Sequence, residues 1–215
     1  MEGFRVVPAG DLTGQQRSRI AEIYHRAFAP HHRVPFGELA ATGPADILLA
    51  AVDGDEPVGF AAARKLGTAG WTFLRYYGIA AERRGTGLGQ RFWRLFGPAV
   101  QAAGWPARIA FEVEDPEHMA SHGTRQTAAA RIAFWSRCGC RLLPVAGYVM
   151  PDISGLGPPE PMLLMASDPA MATIPGGDIA DLVLAIYQGR YQLGPEHPMV
   201  LAALASIGQH RQGCQ

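Results

Sequence analysis

Glu82-Arg83-Arg84-Gly85-Thr86-Gly87-Leu88-Gly89-Gln90 sets two arginines ahead of three alternating glycines. Glycine adopts positive φ without strain and lets another group approach the backbone. The run is therefore either a turn or a cradle, and its flanks decide which. Ahead of it, Trp71–Ile79 is rich in aromatic and β-branched residues and reads as a strand. Behind it, Leu88–Ala103 carries Phe92, Leu95, Phe96 and Val100 on one side and reads as a helix. Three readings fit a strand, a glycine run and a helix. A dinucleotide loop needs G-x-G-x-x-G directly after the strand; here the spacing is G-x-G-x-G and Glu82–Arg84 intervenes. A P-loop closes on Gly-Lys-Ser/Thr, which Gly89-Gln90-Arg91 does not supply. The third reading is an anion cradle. Bare N–H groups and the positive end of the helix dipole attract a pyrophosphate, and Arg84 adds charge.

Outward from the motif, two apolar runs flank Asp53-Gly54 in ILLAAVDGDEPVGFAAARKL, a β-hairpin signal. With Trp71–Ile79 they make an antiparallel meander. Phe4–Val7 reads as a first strand. A helix capped by Asp11 or Thr13 follows through about Ala29, with Ile20, Ile23, Tyr24 and Phe28 on one face. Ala29–Phe36 breaks it, and a short helix covers Phe36–Thr42. Beyond the motif helix, Arg108–Glu114 reads as a strand. A helical crossover places it parallel to Trp71–Ile79. A polar loop is expected over Asp115–Arg125 and a helix over Thr127–Cys138, stopped by Gly139. Strands follow at Arg141–Val149 and Pro161–Ala166, separated by the Gly- and Pro-rich Asp152–Glu160. The tail predicts one helix from Gly176 to Tyr187 with Asp178 as cap, and another after Pro198.

The bulk properties exclude several classes. The 215 residues have 48% apolar and 18% charged content, a globular balance. Formal net charge is zero, which removes the basic excess of a nucleic-acid binder. Lys65 is the only lysine, so nearly all cationic side chains are the phosphate-matching fork of arginine. Cys138, Cys140 and Cys214 form neither a disulfide framework nor a metal-ligand pattern. No apolar leader or membrane-length run is present, so the sequence reads as soluble and cytoplasmic.

Ile79-Ala80-Ala81-Glu82-Arg83-Arg84-Gly85-Thr86-Gly87-Leu88-Gly89 resembles the R/Q-x-x-G-x-G/A motif of the GNAT superfamily of acyl-CoA-dependent N-acyltransferases, with Arg84, Gly87 and Gly89 at the signature positions. The order of elements over residues 4 to 167 is similar too. The resemblance implies a mixed α/β GNAT fold: a central mixed sheet of six to seven strands flanked by helices. The acyltransferase domain would cover 1–168 and a helical C-terminal extension 169–215. That extension either folds back on the domain or builds a homodimer interface. The resemblance further implies acetyl-CoA, or another acyl-CoA, as co-substrate without a metal. Backbone N–H groups of Arg84, Gly85, Thr86, Gly87, Leu88, Gly89 and Gln90 would hold the pyrophosphate. Ile79 and Ala80 would pair with the pantetheine arm.

Acyl transfer to an amine needs a base and a path for the leaving thiolate. Phe111-Glu112-Val113 resembles the Leu-Glu-Val of ribosomal-protein N-terminal-alanine acetyltransferases, which points to Glu112; the alternative is a glutamate paired with an arginine. Trp135 stands where the family often has an acidic tyrosine. Either the thiolate leaves unaided, or Tyr76 or Tyr77 substitutes. His31 and His32 in the helix-breaking loop, and Glu114 at the strand end, are candidates for acceptor contact. The implied activity is N-acetyl transfer to a small or amino-acid-like amine. The rivals are an aminoacyl-tRNA donor on the same fold, or a silent CoA-binding scaffold.

Overall fold

The computed structural model describes residues 3–67, 69–153, 158–170 and 173–209. The chain divides into two compact units, one built chiefly from Met1–Lys65 and Leu74–Ala107, the other from Leu66–Phe73, Arg108–Asp152 and the C-terminal residues.

The first unit contains β1 (Phe4–Pro8), α1 (Gly14–Ala27), α2 (Phe36–Ala40), β2 (Asp46–Asp53), β3 (Glu56–Lys65), most of β4 (Thr72–Ile79) and α3 (Leu88–Ala102). Of the two cap candidates, Thr13 caps α1. Its hydroxyl accepts from Gln16 N at 3.2 Å, while Gln16 Oε1 accepts from Thr13 N at 3.0 Å, a reciprocal capping box. The expected face of α1 is buried at Ile20, Ile23 and Tyr24. Tyr24 is the hub of this core: its ring meets Tyr76 edge-on at 5.1 Å and Phe60 at 5.7 Å. Strands β1, β2, β3 and β4 are successive neighbours, and the Asp53-Gly54 hairpin joins β2 to β3. The approach of β3 to β4 requires glycine on both. A Cβ on Gly59 would stand 2.8 Å from Gly78 O, and one on Gly78 would stand 2.8 Å from the Phe60 ring. Leu95, expected on the buried side of α3, is instead 38% exposed.

The second unit contains the start of β4, then β5 (Ile109–Glu114), α4 (His122–Arg137), β6 (Arg141–Leu142), β7 (Val149–Met150), β8 (Glu160–Ser167), α5 (Gly176–Tyr191) and α6 (Pro198–Ala205). Strand β5 runs parallel to β4 through Thr72–Ile109 and Phe73–Ala110, as the crossover argument requires. It pairs antiparallel with β8 along its whole length. The sheet has eight strands in the order β1-β2-β3-β4-β5-β8-β6, with β7 also on β8. The strand expected over Arg141–Val149 is broken into β6 and β7. Pro144 has no N–H to donate, and the chain turns there, with Val145 N donating to Leu143 O at 2.9 Å. That break accounts for a sheet richer than the six to seven strands expected.

Two further expectations are corrected. The polar loop ends at Ser121, not Arg125. Ser121 and Thr124 form a second capping box that starts α4 five residues earlier than the apolar pattern suggested. Helix α5 is preceded by Pro175, and Asp178 does not cap it; its carboxylate takes Arg108 Nη2 at 2.6 Å. Arg108 also lies over the Trp71 ring at 4.1 Å, and its Nε is 2.8 Å from Asp168 Oδ2, an ion pair out of line for a hydrogen bond. The C-terminal helices share one apolar core with the strands of this unit. Leu182, Ile186 and Tyr187 of α5 and Val200 of α6 are buried among Phe73, Ala110, Tyr148 and Leu164.

Candidate active site

In the first unit the glycine run forms a helix N-terminus. Gly85 and Gly87 have φ of 76° and 82°, the left-handed region that disfavours side chains. Beyond the glycine and its chain neighbours, nothing stands within 4 Å of where a Cβ would lie at either. Gly87 is the N-cap of α3, and no side chain caps it. The first intrahelical bond is Arg91 N to Gly87 O at 3.1 Å. The N–H groups of Leu88, Gly89 and Gln90 precede it, so helical geometry leaves them pointing outward. Thr86 Oγ1 donates to Arg83 O at 2.7 Å, closing the turn. The two arginines divide the work. Arg83 pairs with Asp53 and Glu56, whereas Arg84 is exposed and donates from Nε to Ile79 O at 3.1 Å. Ala80 is buried, its N–H spent on Val58 O at 2.9 Å.

Tyr76 and Tyr77 point to opposite faces of β4. Tyr76 is buried in the aromatic core, and its hydroxyl donates to His32 O at 3.1 Å. Tyr77 stacks on Phe92 with centroids 4.9 Å apart and donates to Gly89 O at 2.6 Å, tying the first turn of α3 to the strand. Both hydroxyls thus serve backbone carbonyls. The side chain of His31 lies outside the described residues. His32 contributes a carbonyl here and is half-buried.

In the second unit Glu112 sits in the middle of β5, opposite Leu164 of β8. Its carboxylate is gripped by two tyrosines. Tyr148, fully buried ahead of β7, donates to Oε1. Tyr191, the last residue of α5, lies 2.7 Å from Oε1 and 2.8 Å from Oε2. Burial pushes the Glu112 carboxyl above the usual range, with the tyrosine hydrogen bonds and the Arg190 charge opposing. The same burial and the neighbouring carboxylate push both tyrosines well above their usual value. Tyr187 braces the arrangement: its hydroxyl donates to Val149 O at 2.8 Å, and burial raises it to about 12. Sequence reasoning reached Glu112 but missed Tyr148 and Tyr191. No local pattern marks either, since they lie 36 and 79 residues downstream.

The neighbours of Glu112 are otherwise committed. Glu114 pairs with Arg131 of α4. Asp115 is fully buried, accepting from Glu117 N at 3.0 Å and contacting His118 Nδ1 at 3.0 Å. Trp135 packs on Phe111 with centroids 4.5 Å apart, filling space with no acidic hydroxyl. In the first unit, separately, Arg91 lies over the Phe4 ring at 4.6 Å. Among the described residues no cluster of three His, Cys, Asp or Glu is arranged for a metal, and no helix is long and apolar enough to cross a membrane.

A mixed sheet in which β4 feeds a glycine-rich helix N-terminus and β5 returns parallel to it is the GNAT acyltransferase architecture. The chain belongs to the acetyltransferase (GNAT) family, whose profile matches residues 17–139, and it is an acetyl-CoA-dependent acyltransferase. Solved structures agree on the fold. A GNAT-family protein from Bacteroides thetaiotaomicron assigned as an acetyltransferase superposes with TM-score 0.68 at 18% identity, covering 88% of this chain and 98% of its own. An aminoglycoside 6'-N-acetyltransferase complexed with coenzyme A gives 0.53 at 18%, covering 76% and 96%. The ribosomal-protein-S18-alanine N-acetyltransferase of Escherichia coli gives 0.51 at 16%, covering 79% and 96%. A search of curated proteins finds no match. The family's co-substrate fits the residues present: the open, positive-φ glycines at the start of α3 form a cradle that side chains would obstruct.

Proposed function

We propose that the protein is an N-acetyltransferase acting on a small or amino-acid-like amine, with Glu112 as its general base. One observation carries this reading: a half-buried carboxylate in the second unit, its proton affinity raised by desolvation and its rotation fixed by Tyr148 and Tyr191. An amine at neutral pH is an ammonium and must lose a proton before it attacks. A carboxylate with a raised pKa is better matched to that transfer than an ordinary surface glutamate. Bound acetyl-CoA supplies the thioester: its C–S bond breaks as the N–C bond forms, with net release of CoA thiol and one proton.

The chain's own groups have separable roles. The N–H groups from Gly85 through Gln90 bind the pyrophosphate, with the Arg84 guanidinium adding charge; the Arg84 N–H, expected to join them, is spent on Ala81 O at 3.3 Å. Ile79 offers its carbonyl to the pantetheine arm alongside Arg84 Nε, whereas the Ala80 N–H is already taken by Val58. Glu112 takes the proton and releases it to solvent. Tyr76 and Tyr77 hold the strand and the helix start, and the thiolate departs without a tyrosine acid, which its low basicity permits.

Zero net charge favours a small acceptor over a basic protein tail. The test is thiol release from acetyl-CoA against a panel of an aminoglycoside, a polyamine, free amino acids, an arylalkylamine and N-terminal peptides. Transfer to a small amine that E112Q abolishes is the expected result. Transfer confined to peptide or protein amines would overturn the acceptor assignment.

A further inference from the structure

The base assignment leaves a feature unexplained: one of the two hydroxyls on Glu112, that of Tyr191, comes from the C-terminal extension beyond residue 168. Oε1 receives Tyr148 and one arm of the Tyr191 contact, whereas Oε2 receives only the other arm, at 2.8 Å. A carboxylate offers about four lone-pair sites, so Oε2 keeps the larger share of unused capacity. The grip is stiff. Tyr148 is fully buried against Tyr187, with centroids 5.2 Å apart, and Tyr187 is bonded to the Val149 backbone.

We propose that Tyr191 and Tyr148 are positioning residues for Glu112: they anchor Oε1, leave Oε2 as the proton-accepting atom, and make the last turn of α5 part of the acyl-transfer machinery. The proposal rests on Glu112 being the base. Its logic is the strength of the two bonds. A hydroxyl donates more strongly to a charged carboxylate than to a neutral carboxyl, and both tyrosines donate to the same oxygen. Protonation at Oε2 leaves both bonds in place but weakens them. The pair therefore favours the ionised form against burial. Few other groups bear on it. From α5, the Arg190 charge also favours ionisation, and Tyr187 stands behind the pair. From β8, the residue opposite is the apolar Leu164. Along β5, Glu114 is paired with Arg131 of α4.

The test reads Glu112 directly. Full-length protein labelled with 13C at the glutamate side-chain carboxyl is titrated by NMR without ligand, with E112Q identifying the signal. In Y191F and in Y148F the midpoint of Glu112 is expected to rise by about one pH unit. The acid limb of kcat should rise equally, with KM for acetyl-CoA unchanged, on the panel amine that turns over fastest. A purely structural role lowers the melting temperature but leaves midpoint and limb where they were; that overturns the proposal while E112Q still reports on the base. A shifted midpoint with E112Q fully active removes the premise instead, and the proposal with it. Should one tyrosine variant fail to fold, the other carries the same test.

Discussion

The cradle at Arg84–Gln90 and the cage around Glu112 are built from opposite materials. The cradle is backbone: exposed over Arg84–Gly87, contiguous and shaped by glycines whose φ values side chains disfavour. The cage is side chain: half-buried at Glu112 and Tyr191, with one carboxylate and two hydroxyls drawn from β5, the approach to β7 and the end of α5. A backbone site is insensitive to most substitutions and fails when its conformation is lost. A side-chain site fails one atom at a time. Binding of a phosphate-bearing co-substrate suits the first kind, and proton transfer suits the second.

Substitutions can break that division or sharpen it. The largest effect should come from E112Q, which keeps the shape and an acceptor for the tyrosines but removes the proposed base. We expect kcat to fall about 10²- to 10⁴-fold with acetyl-CoA affinity by calorimetry unchanged; loss of affinity would blur the division. Gly87→Val should do the reverse. A β-branched residue at φ 82° costs about 1–3 kcal/mol of strain, so acetyl-CoA should bind about 10- to 100-fold more weakly, while the titration of Glu112 stays in place.

A subtler contrast lies in stability. The Glu112 carboxyl holds its proton more tightly folded than unfolded. Its contribution is fully present below the usual glutamate range and is lost as pH rises through the raised value, at up to about 1.4 kcal/mol per pH unit. Urea unfolding across that interval should show the wild type weakening, and E112Q should lack that component. The smallest effect belongs to Arg84→Ala. Its guanidinium is exposed and screened by solvent, so acetyl-CoA affinity should drop only about two- to threefold, and less in high salt.

The same contrast explains what could be read from sequence. The cradle was legible because three glycines and a helix start are neighbours in the chain. So were the Asp53-Gly54 hairpin, the α1 face and the parallel β5, each set by a local period or a chain-reversal rule. Glu112 was reached by its place on β5, not by its surroundings. Tyr148 falls within a strand that Pro144 interrupts. Tyr191 lies beyond Tyr187, where the helix was expected to stop, and the left-handed Gln192, at φ 58°, actually ends it. The early start of α4 was hidden because a Ser-Thr capping box lacks the usual acid. Asp178 resembled a cap because its true partner, Arg108, is 70 residues away.

Tyr191 also gives the chain a timetable. It follows Glu112 by 79 residues, and at synthesis rates of about 5–20 residues per second that separation is roughly 4–16 s. The motif loop, the meander and β5 all leave the ribosome before the carboxylate has its second tyrosine. A nascent chain at that stage already has the residues that would hold coenzyme A but lacks the second hydroxyl donor to Glu112. On this reading, co-substrate recognition is an early product of translation, and competence for proton transfer is among the last.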